Sequence, residues 1–214
     1  VSRTRRPRPR PGGDNGGTRD AIFHAAAEAF AARGFDGVGV DDIADRARVN
    51  KAMLYYHFRG KLSLYRAIVH DMLHAAVGEA VAIAESDAAP ERKVQRFVDA
   101  FIALAEARPW MPPLMLREMV EGAPRLDLET LGLMRRVFAS FARMVGEGQH
   151  AGAFREVHPV LAYLSVIGPL LLNAARERAA VKPGRADLPM FVPVSRDALR
   201  SHLTGAALRM LATD

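Results

Sequence analysis

An all-α fold is predicted by three observations. Apolar residues recur at spacings of three, four and seven in one segment after another, proline and glycine punctuate the joins, and no convincing strand pattern occurs. Half of the 214 residues are apolar, which suffices for one or two domains with a substantial core. About nine helices are expected.

Residues 1–15 form no such pattern. Arg3, Arg5, Arg6, Arg8 and Arg10 stand among prolines and glycines, so a disordered basic tail is expected there. With Asp14 it supplies +4 of the net charge of +6. Such a tail can reach into a minor groove, add non-specific affinity, or be an uninvolved leader. No apolar segment follows it, so it does not read as a secretory signal.

The first helix is expected from about Thr18 to Arg33, burying Ile22, Phe23, Ala26, Ala29 and Phe30, and stopping at Gly34. A second, short helix follows in VDDIADRARV: Val40, Ile43, Ala44 and Ala47 fall on one stripe, with Asp41, Asp42 and Asp45 outside it. After a break at Arg48 and Val49, Asn50 can cap a third helix by accepting from its first-turn amides. Two short helices joined by a tight turn make a helix-turn-helix. In that unit the N-terminal residues of the second helix, here Asn50, Lys51, Ala52 and Met53, meet base edges.

Charge points the same way. Residues 46–66 carry Arg46, Arg48, Lys51, Arg59, Lys61 and Arg66 with no acid among them, beside Tyr55 and Tyr56. Cations that release counterions and tyrosines that donate hydrogen bonds suit a phosphate backbone. A solvated basic face over two core aromatics would give the same pattern, so charge alone does not decide.

A long fourth helix is expected from Lys61 through LSLYRAIVHDMLHAAVGEAVAIAE, joining the DNA-reading unit to everything downstream. Beyond Pro90 a fifth turns Val94, Phe97, Val98, Phe101 and Ile102 inward and ends at Arg108 and Pro109. Four more helical patterns follow, in WMPPLMLREMVEGAP, LDLETLGLMRRVFASFARMVGEGQHAG, VHPVLAYLSVIGPLLLNAARERAA and SRDALRSHLTGAALRMLAT. Residues 182–194 form a proline-punctuated connection whose Met190, Phe191 and Val192 would cover either a dimer seam or a core edge.

Residues 18–66 resemble the DNA-binding domain of the TetR/AcrR family of transcriptional regulators. The resemblance is carried by AIFHAAAEAFAARGFDGVGV, DDIADRARV, NKAMLYYHFRGK and LSLYRAIV, and above all by LYYHF with a lysine three residues later. It implies that Lys51, Tyr55, Tyr56, His57 and Lys61 touch DNA, with Lys61 at a helix N-terminus that favours a phosphate. Leu54 and Phe58 would instead pin the recognition helix. Two departures stand out. Arg48 occupies the turn position where the family has glycine, at a cost of roughly 1 kcal/mol if the backbone is left-handed. Gly39 replaces the usual Ser or Thr cap of the second helix.

The resemblance also implies two domains, a helix-turn-helix domain over residues 16–76 and a helical ligand-binding and dimerisation domain over residues 77–214. A palindromic operator read by a homodimer is expected, and the final two helices carry candidate interface rows at Leu164, Gly168 and Leu171, and at Leu199, Leu203, Ala207 and Met210. On periodicity alone the same rows could pack inside one subunit. A small apolar effector would lie among Phe97, Phe101, Trp110, Met111, Met115, Met119, Phe138 and Phe141, with Arg117 and Glu118 as polar anchors.

Other classes are harder to support. The chain has no cysteine, which removes thiolate chemistry and fits a reducing cytoplasm. The longest apolar run, VLAYLSVIGPLLL, contains Pro169, falls short of the roughly 20 residues of a membrane span, and reads as a buried helix. No nucleophile elbow, phosphate loop or dinucleotide fingerprint occurs, so neither catalysis nor a cofactor is expected. His70 and His74, one turn apart, could hold a metal in a helical enzyme, but no third ligand is evident. A DNA-binding regulator with no small-molecule ligand, controlled by a protein partner or by abundance, is the other alternative.

Overall fold

The computed structural model describes residues 15–181, 184 and 188–213. Of the basic tail expected over residues 1–15, all but Asn15, which opens the first helix, lies outside the described residues, as does most of the connection at 182–187. Among those described are nine α-helices, one short 3-10 turn and no strand.

Helix α1 (Asn15–Arg33) starts three residues before Thr18 and ends at Gly34, whose φ of 75° suits a residue without a Cβ. Helices α2 (Val40–Ala47) and α3 (Lys51–Phe58) pack on it. Helix α4 (Lys61–Ala84) packs against α1 at one end and runs along α7 for most of its length. Pro90 opens α5 (Pro90–Ala107) and two prolines stand in the first turn of α6 (Met111–Glu121), positions where the missing N–H has no helical partner to lose. Helices α7 (Leu128–His150) and α9 (Arg196–Leu211) begin on Asp127 and Ser195, whose side chains accept from Thr130 N and Ala198 N at 3.0 and 3.2 Å. Helix α8 (Pro159–Ala180) lies between α6 and α9, and the 3-10 turn Pro189–Phe191 folds back onto it.

Two contacts fix the helical body. Gly148 lets α7 meet the ring of Phe154, since a Cβ there would lie 2.1 Å from that ring. The buried Lys93 donates to the Ala84 carbonyl at 2.9 Å and to Glu147 at 2.6 Å, so one ammonium caps α4 and ties α5 to α7.

One expectation is corrected. Helices α4 and α8, at 24 and 22 residues, are both long and apolar enough to cross a membrane by length and composition. The apolar run in α8 continues helically past Pro169, and α8 is not wholly buried: Val160, Leu161, Leu164 and Leu172 are exposed. In α4 the apolar side is taken up by α1, α5 and α7.

Candidate nucleic-acid interface and internal cavity

The turn between α2 and α3 keeps its left-handed residue although glycine is missing. Arg48 sits at φ 56°, ψ 39°, its N–H reaching the Asp45 carbonyl at 3.1 Å, while Val49 N–H closes on the Ala44 carbonyl at 3.0 Å. Asn50 caps α3 as expected, accepting from Ala52 N at 2.9 Å. Gly39 has no hydroxyl to offer, and α2 is started from the other side: Asp42 accepts from Gly39 N at 3.1 Å. That hydrogen bond, and then Arg33 at 3.1 Å, holds the Asp42 carboxyl below its ordinary range.

Helix α3 divides by face. Leu54 and Phe58 are buried under it, as expected of anchors. Lys51, Ala52, Tyr55 and Tyr56 are exposed, Tyr56 most of all at 71%, and Arg46 and Arg48 are exposed on the adjoining turn. Met53 is half-buried against the core. His57 is also half-buried, its ring 5.0 Å edge-on from Tyr56 and its Nε2 enclosed without a hydrogen-bond partner.

Two of the expected contacts look different in three dimensions. Lys51 is not idle: its ammonium lies 2.8 Å from Asp41 Oδ1, and that contact raises its pKa above the ordinary value. Lys61, expected on a phosphate, turns inward instead. Its Nζ donates to the carbonyls of Phe35 and Val38 at 2.9 and 3.0 Å and stands 4.1 Å over the Phe35 ring. The carbonyls lie in the loop between α1 and α2, so Lys61 locks the helix-turn-helix to the start of α4. Arg66, from the same basic run, is also used internally, donating to the Arg125 carbonyl at 2.7 Å.

Behind Lys61 lies a polar junction between α4 and α6. Glu118 is fully buried and accepts from the Tyr65 hydroxyl, while its Oε2 has no partner. Burial first, and Glu118 second, pushes the Tyr65 hydroxyl well above the ordinary tyrosine pKa. Arg125 lies 3.7 Å from Glu118, 2.8 Å from Asp36 and 5.0 Å over Phe35. Phe35 is thus packed by Tyr65 and faced by two cations, one from each side of the junction.

A cavity of about 320 Å³ opens among α4, α5, α6, α7 and α8. Of the residues expected around an effector, Phe101, Met111, Met115, Met119 and Phe138 line it. Phe97 and Phe141 do not; they are fully buried behind Phe101 and Tyr163, as packing for the wall. Trp110 packs edge-on against Phe23 of α1, 6.2 Å away. Arg117 lies over Gly34, and Glu118 serves the junction, so neither expected anchor reaches the cavity. Met72 and Leu73 of α4 and Tyr163, Ile167, Leu170 and Leu171 of α8 were missed. They are brought in by tertiary packing, and no local pattern distinguishes them from ordinary core. Arg135 was also missed, and it is the sole charged residue of the lining.

The expected interface rows split. Leu164 and Gly168 face outward, and a Cβ on Gly168 would meet nothing within 4 Å. Leu171 lines the cavity, and Leu203 and Ala207 are buried in the same subunit. Leu199 and Met210 are half-buried against the core. Met190, Val192 and Val194 are exposed beside α8. His70 faces Glu129 at 3.3 Å and stacks on His74 at 6.1 Å, and no group of three metal-binding side chains occurs among the described residues.

A profile described as bacterial regulatory proteins, tetR family, matches residues 22–68, which are most of α1, the two helix-turn-helix helices and the start of α4. That segment is similar to the DNA-binding part of the tetR family. Its similarity extends to the transcriptional regulator RutR of Escherichia coli K12, 27% identical over 141 residues, a match that spans 66% of each chain and so just under two thirds of RutR. The transcriptional activator FasR of Mycolicibacterium smegmatis is 36% identical over 91 residues, covering 41% of this chain and 40% of FasR. The ketosteroid transcriptional regulator KstR2 of Mycobacterium tuberculosis shares the fold, with a TM-score of 0.74 and 20% identity over 92% of this chain and 95% of that one. The described residues have the all-α architecture expected from the sequence.

Proposed function

We propose that this regulator is a cytoplasmic repressor that binds a palindromic operator as a homodimer and is released by a small, largely apolar effector. The observation that carries the reading is the face of α3: Lys51, Ala52, Tyr55 and Tyr56 project outward from a capped helix whose opposite side is anchored by Leu54 and Phe58. In this reading residues 16–76 dock on DNA and residues 77–214 bind the effector and pair the subunits. Lys51 exchanges Asp41 for DNA, Tyr55 and Tyr56 donate to phosphates, and Lys61 sets the position of the unit without touching DNA.

Dimerisation is supported by the apolar outer side of α8, where Leu161, Leu164 and Leu172 are exposed around Gly168. Effector control is supported by α6, which presents Met111, Met115 and Met119 to the cavity and Glu118 to Tyr65 of α4. A ligand in the cavity acts on α4 directly at Met72 and Leu73 and, by displacing α6, through the Tyr65–Glu118 hydrogen bond, and α4 carries the helix-turn-helix. Repression is the simplest outcome of a dimer filling major grooves at a promoter, whereas FasR is an activator; a promoter fusion with and without the protein separates the two.

The docking model is tested on an operator selected from random DNA. Lys51→Ala should weaken binding and relax site preference, while Tyr56→Phe should weaken every site similarly. Each phosphate contact by a cation that is lost should lower the log–log salt slope by about 0.9. Wild-type affinity in both variants would sink the model.

A further inference from the structure

The cavity wall contains two polar groups that the fold does not use. Arg135, on α7, makes neither an ion pair nor a hydrogen bond among the described residues, and it borders an otherwise uncharged lining. Tyr163, on α8, has no hydrogen-bond partner among them either, and burial pushes its hydroxyl up to about 12, so it stays a neutral donor. Both line the same cavity, and Phe138, one helical turn beyond Arg135, meets the Tyr163 ring edge-on at 5.5 Å. Arg135 is exposed, so its guanidinium meets water until a guest in the cavity displaces it.

An unpaired guanidinium beside an apolar hole selects one kind of guest. Its planar donors match a carboxylate bidentately, whereas a neutral hydroxyl accepts only a single, weaker hydrogen bond from it. The volume sets the size: at roughly 30 Å³ per water-sized group, about 320 Å³ holds on the order of ten non-hydrogen atoms. The flexible thioethers of Met72, Met115 and Met134 adapt to chain or ring alike. We propose that the effector is an amphipathic monocarboxylate of about ten non-hydrogen atoms, its apolar body in the cavity and its carboxylate on Arg135 at the cavity mouth. The proposal rests on the reading of this cavity as the effector site. A bulky polyanionic head group does not fit it, because the lining offers one cation.

The test is calorimetry on the full chain with matched acids and alcohols: decanoate against 1-decanol, and naphthalene-2-carboxylate against 2-naphthalenemethanol. At least one acid should bind at least about tenfold more tightly than its alcohol, the usual value of a hydrogen bond to a charged group. Arg135→Gln should bring that ratio close to one, and Arg135→Lys should restore part of it. Met115→Trp, which fills the hole, should abolish binding of acid and alcohol together. Equal affinity of acid and alcohol in the wild type, or a ratio indifferent to Arg135, overturns the carboxylate while leaving the cavity as an effector site. Failure of all four compounds to bind overturns both readings, and binding that survives Met115→Trp places the site elsewhere and overturns the proposal.

Discussion

Lys51 with Asp41 and Tyr65 with Glu118 are both polar pairs that bridge two helices, yet their surroundings give them opposite roles. The first lies on the outer edge of α2 and α3, its side chains 47% and 75% exposed, so water competes for every contact it makes. The second lies between α4 and α6 with Glu118 fully buried, where water does not compete for the contact. An exposed pair can be exchanged for DNA at small cost. A buried pair instead holds two helices in one relation, and that relation is what a ligand in the adjoining cavity would have to alter.

Substitutions can break or sharpen this contrast. The largest effect is expected from the anchor beneath the reading face: Leu54→Ala should cost about 2–5 kcal/mol by calorimetric unfolding, since a fully buried side chain is lost under a helix of eight residues. A loss below 1 kcal/mol would show that α3 is held by something else. Next comes the junction. Tyr65→Phe should cost about 1.5–3 kcal/mol, because it leaves both carboxylate oxygens of Glu118 without hydrogen bonds. It should also reduce the response of DNA binding to effector more than it reduces DNA binding itself, and equal losses would remove α6–α4 coupling from the account.

Arg48→Gly should act in the opposite direction, raising stability by about 0.5–1 kcal/mol as left-handed strain is relieved against the greater freedom of glycine in the unfolded chain. An unchanged or lower melting temperature would mean that the arginine side chain offsets the strain. The smallest effect on stability belongs to the exposed pair. Asp41→Asn should leave unfolding essentially unaltered yet strengthen operator binding, since it frees Lys51 and removes a like charge facing phosphate; weaker binding would show that Asp41 positions the lysine.

Acid offers a check on the helix joins as a set. Asp99 is held below its ordinary value of 3.8 chiefly by Arg200, Asp127 below 3.8 by the Thr130 backbone, and Glu147 below 4.5 by Lys93. Folded-state values lower than unfolded ones mean that this stability is fully present above the ordinary carboxylate range and is lost as pH falls through it. Chemical denaturation midpoints should therefore be flat near neutrality and fall below about pH 4.5, where Glu147 and then the aspartates take up protons. A midpoint constant down to pH 3 would contradict the assignment of these contacts.

By itself the sequence determined the helices and the cap of α3. Those features arise from neighbours a turn apart: the Asn50 cap, the Leu54 and Phe58 spacing and the Pro90 start all depend on residues within about four positions. The cavity was half legible, because methionines and phenylalanines on α5, α6 and α7 announce an irregular apolar region but not which of them faces it. Tertiary structure alone decided that Phe97 and Phe141 back the wall, that α4 and α8 supply the remainder, and that Lys61 turns inward to carbonyls 26 and 23 residues earlier. It also decided that Arg135 borders the cavity without a partner while Arg117 does not reach it. A charged side chain is equally compatible with solvent, an ion pair or a ligand until the helices around it are placed, since burial and partners over long separations set its energy and local spacing does not.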